Sequence, residues 1–347
     1  MADVKTYNVA VVGATGAVGT QILRLLEERN FPINQLKCLS SARSAGATLT
    51  FKGQEITVEE ATPESFEGID FALFSAGGSV SKQLAHEAVQ RGAVVIDNTN
   101  AFRMTPEVPL VVPEVNMEKA FEHQGIIANP NCSTIQMVAA LQPIKEKYGI
   151  DRIIVSTYQA VSGAGNRAIG DLINQTQAVL EGKEANGEIL PVGSLPKKHQ
   201  MAFNVIPQID VFLDNGFTQE EMKMINETKK IFGDETVKVA ATCVRVPVLN
   251  GHSESVYIET KEDFNLDEVK ELLAQAPGII VADEPAEQLY PLATESAGKL
   301  EVYVGRLRKD VSEPRGLHMW IVSDNLLKGA AWNAVQIAEQ MIAKQNA

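Results

Sequence analysis

The sequence predicts an α/β protein: an N-terminal doubly wound, Rossmann-type, mostly parallel sheet and a second α+β domain. Three observations carry this. The first half alternates short β-rich runs with amphipathic helices. A glycine loop, Gly13-Ala-Thr-Gly16-Ala-Val-Gly19, lies between the first such strand and the first helix. The second half changes to longer strand runs separated by longer helices. Regular strand–helix–strand order gives a parallel sheet covered on both faces, and the less regular order that follows gives a mixed sheet with helices on one face.

Taken in order, Tyr7–Val12 is a β-rich run, and residues 17–29 carry Val18, Ile22, Leu25 and Leu26 at helical spacing. Strands are expected at 36–39, Phe71–Phe74, Val94–Asp97 and Ile126–Ala128, with a hairpin-like alternation over 48–58 and a helix over 79–91. The second half opens with a helix over Cys132–Tyr148 and continues with strands at 152–160, 237–246, 254–260, 302–308 and 317–322. Helices over 167–180, Gln219–Phe232 and 266–276 separate them, and 181–200, rich in Gly, Pro, Lys and Glu, is expected as a surface loop. A last helix, 328–344, is expected to return to the first domain. The domains predicted are therefore 1–131 with 325–347, and 132–324.

Composition excludes several function classes. The 347 residues hold 31 Lys and Arg against 44 Asp and Glu, a net charge of −13. Phosphate backbones and anionic lipid repel such a chain, so neither nucleic acid nor a membrane surface is an expected partner. No apolar run approaches the about 18 residues of a membrane helix, and the N-terminus carries no leader pattern, so a cytoplasmic location is expected. Cysteine occurs only at 38, 132 and 243. So few, so scattered, suit neither a disulfide framework nor a zinc site, and no metal is expected.

The glycine loop has GxxGxxG spacing rather than GxGxxG. The physics is shared: small residues allow a tight turn, and N–H groups at a helix start meet a pyrophosphate. After the second strand, where an NAD enzyme places an acid for the ribose hydroxyl, the chain has Ser40-Ser41-Ala42-Arg43-Ser44. A guanidinium among hydroxyls matches a 2′-phosphate, which predicts NADP over NAD; a plain polar loop is the alternative.

Asn129-Pro130-Asn131-Cys132 precedes a helical pattern, which places Cys132 at a helix N-terminus, where the dipole and unpaired N–H groups favour a thiolate. Taken alone, Cys132 reads equally well as a small buried hydrophobe near a cap. Cys38 and Cys243 lie in apolar strands and read as inert. Among five histidines, His252 follows Arg245-Val-Pro-Val-Leu-Asn-Gly251 in an expected turn from which it can reach a cleft. A Cys/His pair suits thiol acylation. Arg103 lies just past a parallel strand, where ligands bind. Thr218 and Glu221 form a capping box. Glu220 and Lys223 share a helix face, either as ligand groups or as an exposed ion pair.

Together these residues resemble the aspartate-semialdehyde dehydrogenases over nearly the whole chain. The matching stretches are 13–19, 40–44, 98–103, 129–134, 159–165, 220–223, 245–252 and 323–330. Each is moderately specific; their joint order is highly specific. The resemblance implies reversible conversion of L-4-aspartyl phosphate and NADPH to L-aspartate 4-semialdehyde, phosphate and NADP, leading to lysine, threonine, methionine and diaminopimelate. It implies that Cys132 is the acyl-accepting nucleophile and His252 the acid/base. Gln159 would orient the substrate, Arg245 grip its α-carboxylate and Glu220 face its amino group. Arg103 and Lys223 would bind phosphate. Gly13, Thr15, Gly16, Ala17, Val18, Ser40, Arg43, Ser44, Ser162, Gly163 and Asn325 would hold NADP. It also implies a homodimer built on the second domain. The alternatives are an N-acetyl-γ-glutamyl-phosphate reductase, which Glu220 disfavours, and a catalytically silent NADP-binding homologue, which retention of Cys132, Gln159, Arg245 and His252 disfavours.

Overall fold

A computed structural model describes residues 5–345. The chain divides into two compact units, one running to Asn131 and resuming at Ala330, the other spanning Cys132–Gly329.

The first unit contains β1 (Tyr7–Val12), α1 (Ala17–Glu28), β2 (Ile33–Ser40), the hairpin β3 (Thr48–Phe51) and β4 (Gln54–Thr57), β5 (Glu59–Glu60), β6 (Phe71–Phe74), α2 (Gly78–Gln90), β7 (Val94–Asp97), the one-turn α3 (Pro113–Asn116) and β8 (Ile126–Ala128). Six of these strands form a parallel sheet in the order β5-β2-β1-β6-β7-β8. The order turns back at β1, with β2 on one side and β6 on the other. This is the switch point at whose carboxyl end such sheets bind ligands. All four residues of β6 are buried, as a central parallel strand requires. α1 covers the sheet with Ile22, Leu23, Leu25 and Leu26. β2 starts at Ile33, earlier than its apolar run, because ladder pairing of Ile33 and Gln35 with Tyr7 and Asn8 needs no buried side chain.

The second unit contains α4 (Cys132–Tyr148), β9 (Ile150–Gln159), α5 (Asn166–Leu180), α6 (Gln219–Phe232), β10 (Lys238–Arg245), β11 (His252–Thr260), α7 (Leu266–Gln275), β12 (Ile279–Val281), the one-turn α8 (Ala293–Ser296), β13 (Val302–Lys309) and β14 (Gly316–Ser323). Its mixed sheet runs β10-β9-β11-β14-β13-β12. β9 is parallel to β10 and antiparallel to β11, and β11, β14 and β13 follow in antiparallel order. α4, α6 and α7 pack on one face. Every residue from Ser133 to Leu141 is buried, so α4 is a core helix rather than an amphipathic surface one. On the other face β9 exposes Ile154 and Tyr158, and the Tyr158 ring lies 5.5 Å from that of Trp320.

The last helix departs from expectation at its start. Leu327–Ala331 is a π turn, and α9 (Trp332–Gln345) follows it. The widened turn shows in Gly329 N–H, which donates to Asp324 O five residues back. Residues 325–329, expected with the first domain, lie in the second unit. Asn325 holds them there: Oδ1 accepts from Gly251 N–H (2.9 Å) and Nδ2 donates to Ser162 Oγ (2.9 Å). α9 packs in the first unit, where Arg29 stacks on Trp332 and pairs with Glu339. Among the described residues no helix is long and apolar enough to cross a membrane.

Candidate active site

In the first unit, β1 ends at Val12 and the chain turns at Gly13 with φ 85°. A Cβ there would lie 2.9 Å from Ala76 N, and a Cβ at Gly19 would run into the Gly13 carbonyl. One glycine lets two loops touch at the switch point; the other lets α1 seat on the turn. Thr15, Gly16, Ala17 and Val18 between them are half-buried. Gly16 supplies no side-chain cap and the first turn of α1 holds no acid. A helix start left with bare N–H groups fits a pyrophosphate.

Thr15 Oγ1 lies 3.2 Å from Ser40 Oγ at the end of β2. Beyond it Arg43 is exposed and Ser44 half-buried in a turn. Sequence reading found no carboxylate at this strand end, yet β5 places Glu59 and Glu60 beside Leu39 and Ser40. Arg103 is buried past β7, with Nε donating to Asn129 O (2.9 Å) and Nη2 to Asn98 O (2.8 Å).

In the second unit, Cys132 is the first residue of the 17-residue α4 and is half-buried. Helix position favours its thiolate. The other two thiols are buried: Cys38 is pushed up to about 11 by burial and then by Glu59, and burial pushes Cys243 up too. Arg245 ends β10 beside Gln159 of β9. Its Nη1 donates to Ala160 O (2.7 Å), and its buried Nε has no hydrogen-bond partner among the described residues. Burial lowers its pKa, and Glu220 and Cys132 are near enough to act the other way.

Gln159 Nε2 donates to Glu220 Oε1 and to Thr157 Oγ1, each at 3.2 Å. Glu220 is buried, so the Glu220–Lys223 pair is not a solvated one. Lys223 Nζ donates to Glu220 Oε2 (3.2 Å) and Asp210 Oδ2 (2.8 Å). Thr218 and Glu221 form the expected capping box.

His252 is not a turn residue. It opens β11, paired with Ser323 of β14, and it is fully buried. Its Nδ1 accepts from Ala160 N–H (3.1 Å), and Nε2 has no hydrogen-bond partner among the described residues. Burial, then the charge of Arg245, push its pKa down to about 3. A Cβ at Gly163 would lie 3.1 Å from Arg245 Nη1 and 3.4 Å from His252 Cε1, so glycine keeps this space open. Ser162 and Asn325 are bonded to each other, and Asn325 to Gly251 N–H.

The second unit thus links Gln159, Glu220, Lys223, Arg245, His252, Ser162, Gly163 and Asn325 through direct contacts. Sequence reasoning missed Thr157, Asp210, Gln136, Glu254 and Gly329. Gln136, one turn past Cys132, and Glu254, on the same strand face as His252, carried a spacing signal. Asp210, in an irregular loop, carried none.

A model of the semialdehyde dehydrogenase NAD-binding domain matches residues 8–123, and one of the semialdehyde dehydrogenase dimerisation domain matches 141–328. Fold and site therefore define a nicotinamide-dependent oxidoreductase of the semialdehyde dehydrogenase class. An aspartate-semialdehyde dehydrogenase of Bacillus subtilis is 63% identical over 96% of this chain and 97% of its own. The crystal structure of aspartate semialdehyde dehydrogenase II of Vibrio cholerae complexed with ASA has 47% identity and a TM-score of 0.93, covering 98% of this chain and 99% of that one. An aspartate semialdehyde dehydrogenase of Candida albicans, solved with NADP, is 28% identical with a TM-score of 0.74 over 98% of this chain and 99% of that one. The chain belongs to the aspartate-semialdehyde dehydrogenase family.

Proposed function

We propose that the chain reversibly converts L-4-aspartyl phosphate and NADPH to L-aspartate 4-semialdehyde, phosphate and NADP through a thioester on Cys132. The observation that carries this is a half-buried thiol at the start of α4, in the unit that also buries an imidazole, a guanidinium and a carboxylate. The Cys132 thiolate attacks the acyl carbon, and N–H groups at a helix start can hold the resulting oxyanion. Arg245 grips the α-carboxylate with its fork, and Glu220 faces the substrate ammonium, with Gln159 beside it. Arg103 and Lys223 bind the phosphoryl group. His252 serves the carbonyl oxygen. Burial of these groups keeps water from the acyl-enzyme.

Residues Gly13, Thr15, Gly16, Ala17, Val18, Ser40, Arg43 and Ser44 would hold the nucleotide, and the family resemblance adds Ser162, Gly163 and Asn325. NADPH supplies the hydride when bound. The first unit, 1–131 with the last helix, is the nucleotide-binding domain in this reading. The second is the catalytic and dimerisation domain, and the exposed Ile154 and Tyr158 on its open sheet face suit a homodimer. The family's biosynthetic role suits the cytoplasm.

Phosphate-dependent reduction of NADP tests the reading. Aspartate semialdehyde should support it and N-acetylglutamate semialdehyde should not. Cys132→Ala should abolish turnover while NADP still binds; substantial activity in that variant would sink the covalent scheme.

A further inference from the structure

We propose that Gln136 is the positioning residue that fixes the Cys132 thiol against His252, by tying the helix that carries one to the strands that carry the other. This rests on the reading that Cys132 is the acyl-accepting nucleophile and that His252 serves the same carbonyl group.

Cys132 opens α4, and Gln136 follows one turn later on the same helix face. That face meets the sheet where β11 begins and β14 ends. Gln136 Nε2 donates to His252 O (3.2 Å), and a longer contact reaches Ile321 O (3.5 Å). Gln136 Oε1 accepts from Ser323 Oγ (2.8 Å). Ser323 is the residue paired with His252 across the two strands. One amide thus holds the backbone of the imidazole-bearing residue and the side chain of its ladder partner. Its orientation is fixed, because turning it over would set Oε1 against two backbone carbonyls. Cys132 and His252 both lie near enough to Arg245 to interact with its charge, so thiol and imidazole converge on one guanidinium.

Packing alone does not account for an amide here. Its neighbours along α4, Ile135, Met137, Val138, Ala139, Ala140 and Leu141, are buried and apolar, and Gln136 itself has no exposed surface. A methionine or leucine would fill the position without the cost of burying an amide. What the amide supplies and an apolar side chain cannot is direction. Two hydrogen bonds of opposite sense fix the height and the rotation of the helix start over the strand ends.

Gln136→Met tests this, since methionine is close to glutamine in length; glutamate would set a second carboxyl near the buried Glu254. Misplacing a reacting group by about 1 Å costs about 10²-fold in rate. Phosphate-dependent reduction of NADP with aspartate semialdehyde should therefore fall about 10–100-fold in kcat, with KM for each substrate within about twofold. KM holds because Arg245, Glu220 and Lys223 keep their own contacts. Alkylation of Cys132 by iodoacetamide should stay within about twofold of the parent rate, because the helix start still favours the thiolate. Ser323→Ala leaves the bond to His252 O and should lose only about 3–10-fold in kcat.

The double variant Q136M/S323A removes the hydroxyl that Gln136→Met strands. It should unfold at a higher temperature than Gln136→Met, yet its kcat should stay as low. Met137→Leu, a volume-conserving change on the same helix, is the control and should keep kcat. Parental kcat in either Gln136→Met or Ser323→Ala would overturn the proposal. So would kcat that recovers with stability in the double variant, or a rise in KM with kcat unchanged. Substantial activity in Cys132→Ala would instead overturn the underlying reading, a separate failure.

Discussion

Gly329 and Cys132 meet so closely that a Cβ on the glycine would lie 2.7 Å from the Cys132 Cβ and 3.2 Å from its Cα. The π turn over Leu327–Ala331 presses the glycine there. Gly329→Ala should therefore displace the thiol. An overpacked methyl costs about 1–3 kcal/mol, and a misplaced reactive group costs about 10²-fold in rate. Thermal unfolding and alkylation of Cys132 read the two effects. The double variant C132G/G329A, which removes the opposing Cβ, should regain stability while staying inactive. Gly170→Ala on α5, where a Cβ meets nothing within 4 Å, is the control. Parental kcat in Gly329→Ala would show that the contact does not position the thiol.

Arg43 is the exposed cation past β2, and Glu60 is the carboxylate that β5 adds nearby. Losing a charged hydrogen-bonding partner costs about 1.5–3 kcal/mol. Arg43→Ala should thus lower kcat/KM for NADPH about 10–100-fold and leave NADH use little changed. Glu60→Gln should keep the NADP preference. An undiminished preference in Arg43→Ala would remove that residue from cofactor choice.

Glu254 has both carboxyl oxygens buried without a hydrogen-bond partner among the described residues. Burial holds it well above the usual carboxyl range, against a smaller pull from Gln136. Its folded pKa therefore lies above that of the unfolded chain, which ionises it above about pH 4.3. The folded state binds the extra proton, so stability from this group falls as pH rises through that value, by about 1.4 kcal/mol per unit. His252 has the opposite sign. Its folded pKa of about 3 lies below the unfolded value of about 6.5, so its contribution is present above 6.5 and lost as pH falls towards 3. The two offset each other between about 4.5 and 6.5, and Glu254 alone acts above. Denaturant unfolding should show Glu254→Gln gaining stability over the parent progressively above about pH 4.5. A pH-independent difference would mean that Glu254 titrates normally.

Thr157 holds one amide hydrogen of Gln159, and Glu220 holds the other. An ionised carboxylate only accepts, so Nε2 must face Glu220 and the amide carbonyl is left for the substrate. Thr157→Val keeps the shape and loses the hydroxyl; it should cost about tenfold in kcat, the scale of one hydrogen bond. Thr157→Ser should retain activity although it leaves a gap. The reverse order in steady-state kinetics would make Thr157 a packing residue only.

Much of this molecule is written locally. The 3.6-residue spacing of α1, the glycines that let it seat on β1, and the start of α4 at Cys132 depend on neighbours along the chain. They were legible, as was the alternation that makes the first sheet parallel. Short edge strands were not: β5 is two residues long and carries no period, so the carboxylates beside Ser40 went unseen. Nor was the loop that brings Asp210 to Lys223.

The sequence by itself determined the two-sheet α/β plan, the nucleotide turn and the family, because turns, caps and periodicity are local. Tertiary structure alone decided that His252 sits in a strand against Ser323, with Nδ1 closed by the Ala160 amide and its charge opposed by Arg245. Hydrogen-bond partners and loss of water depend on which distant segments pair, and those two quantities set what an imidazole can do.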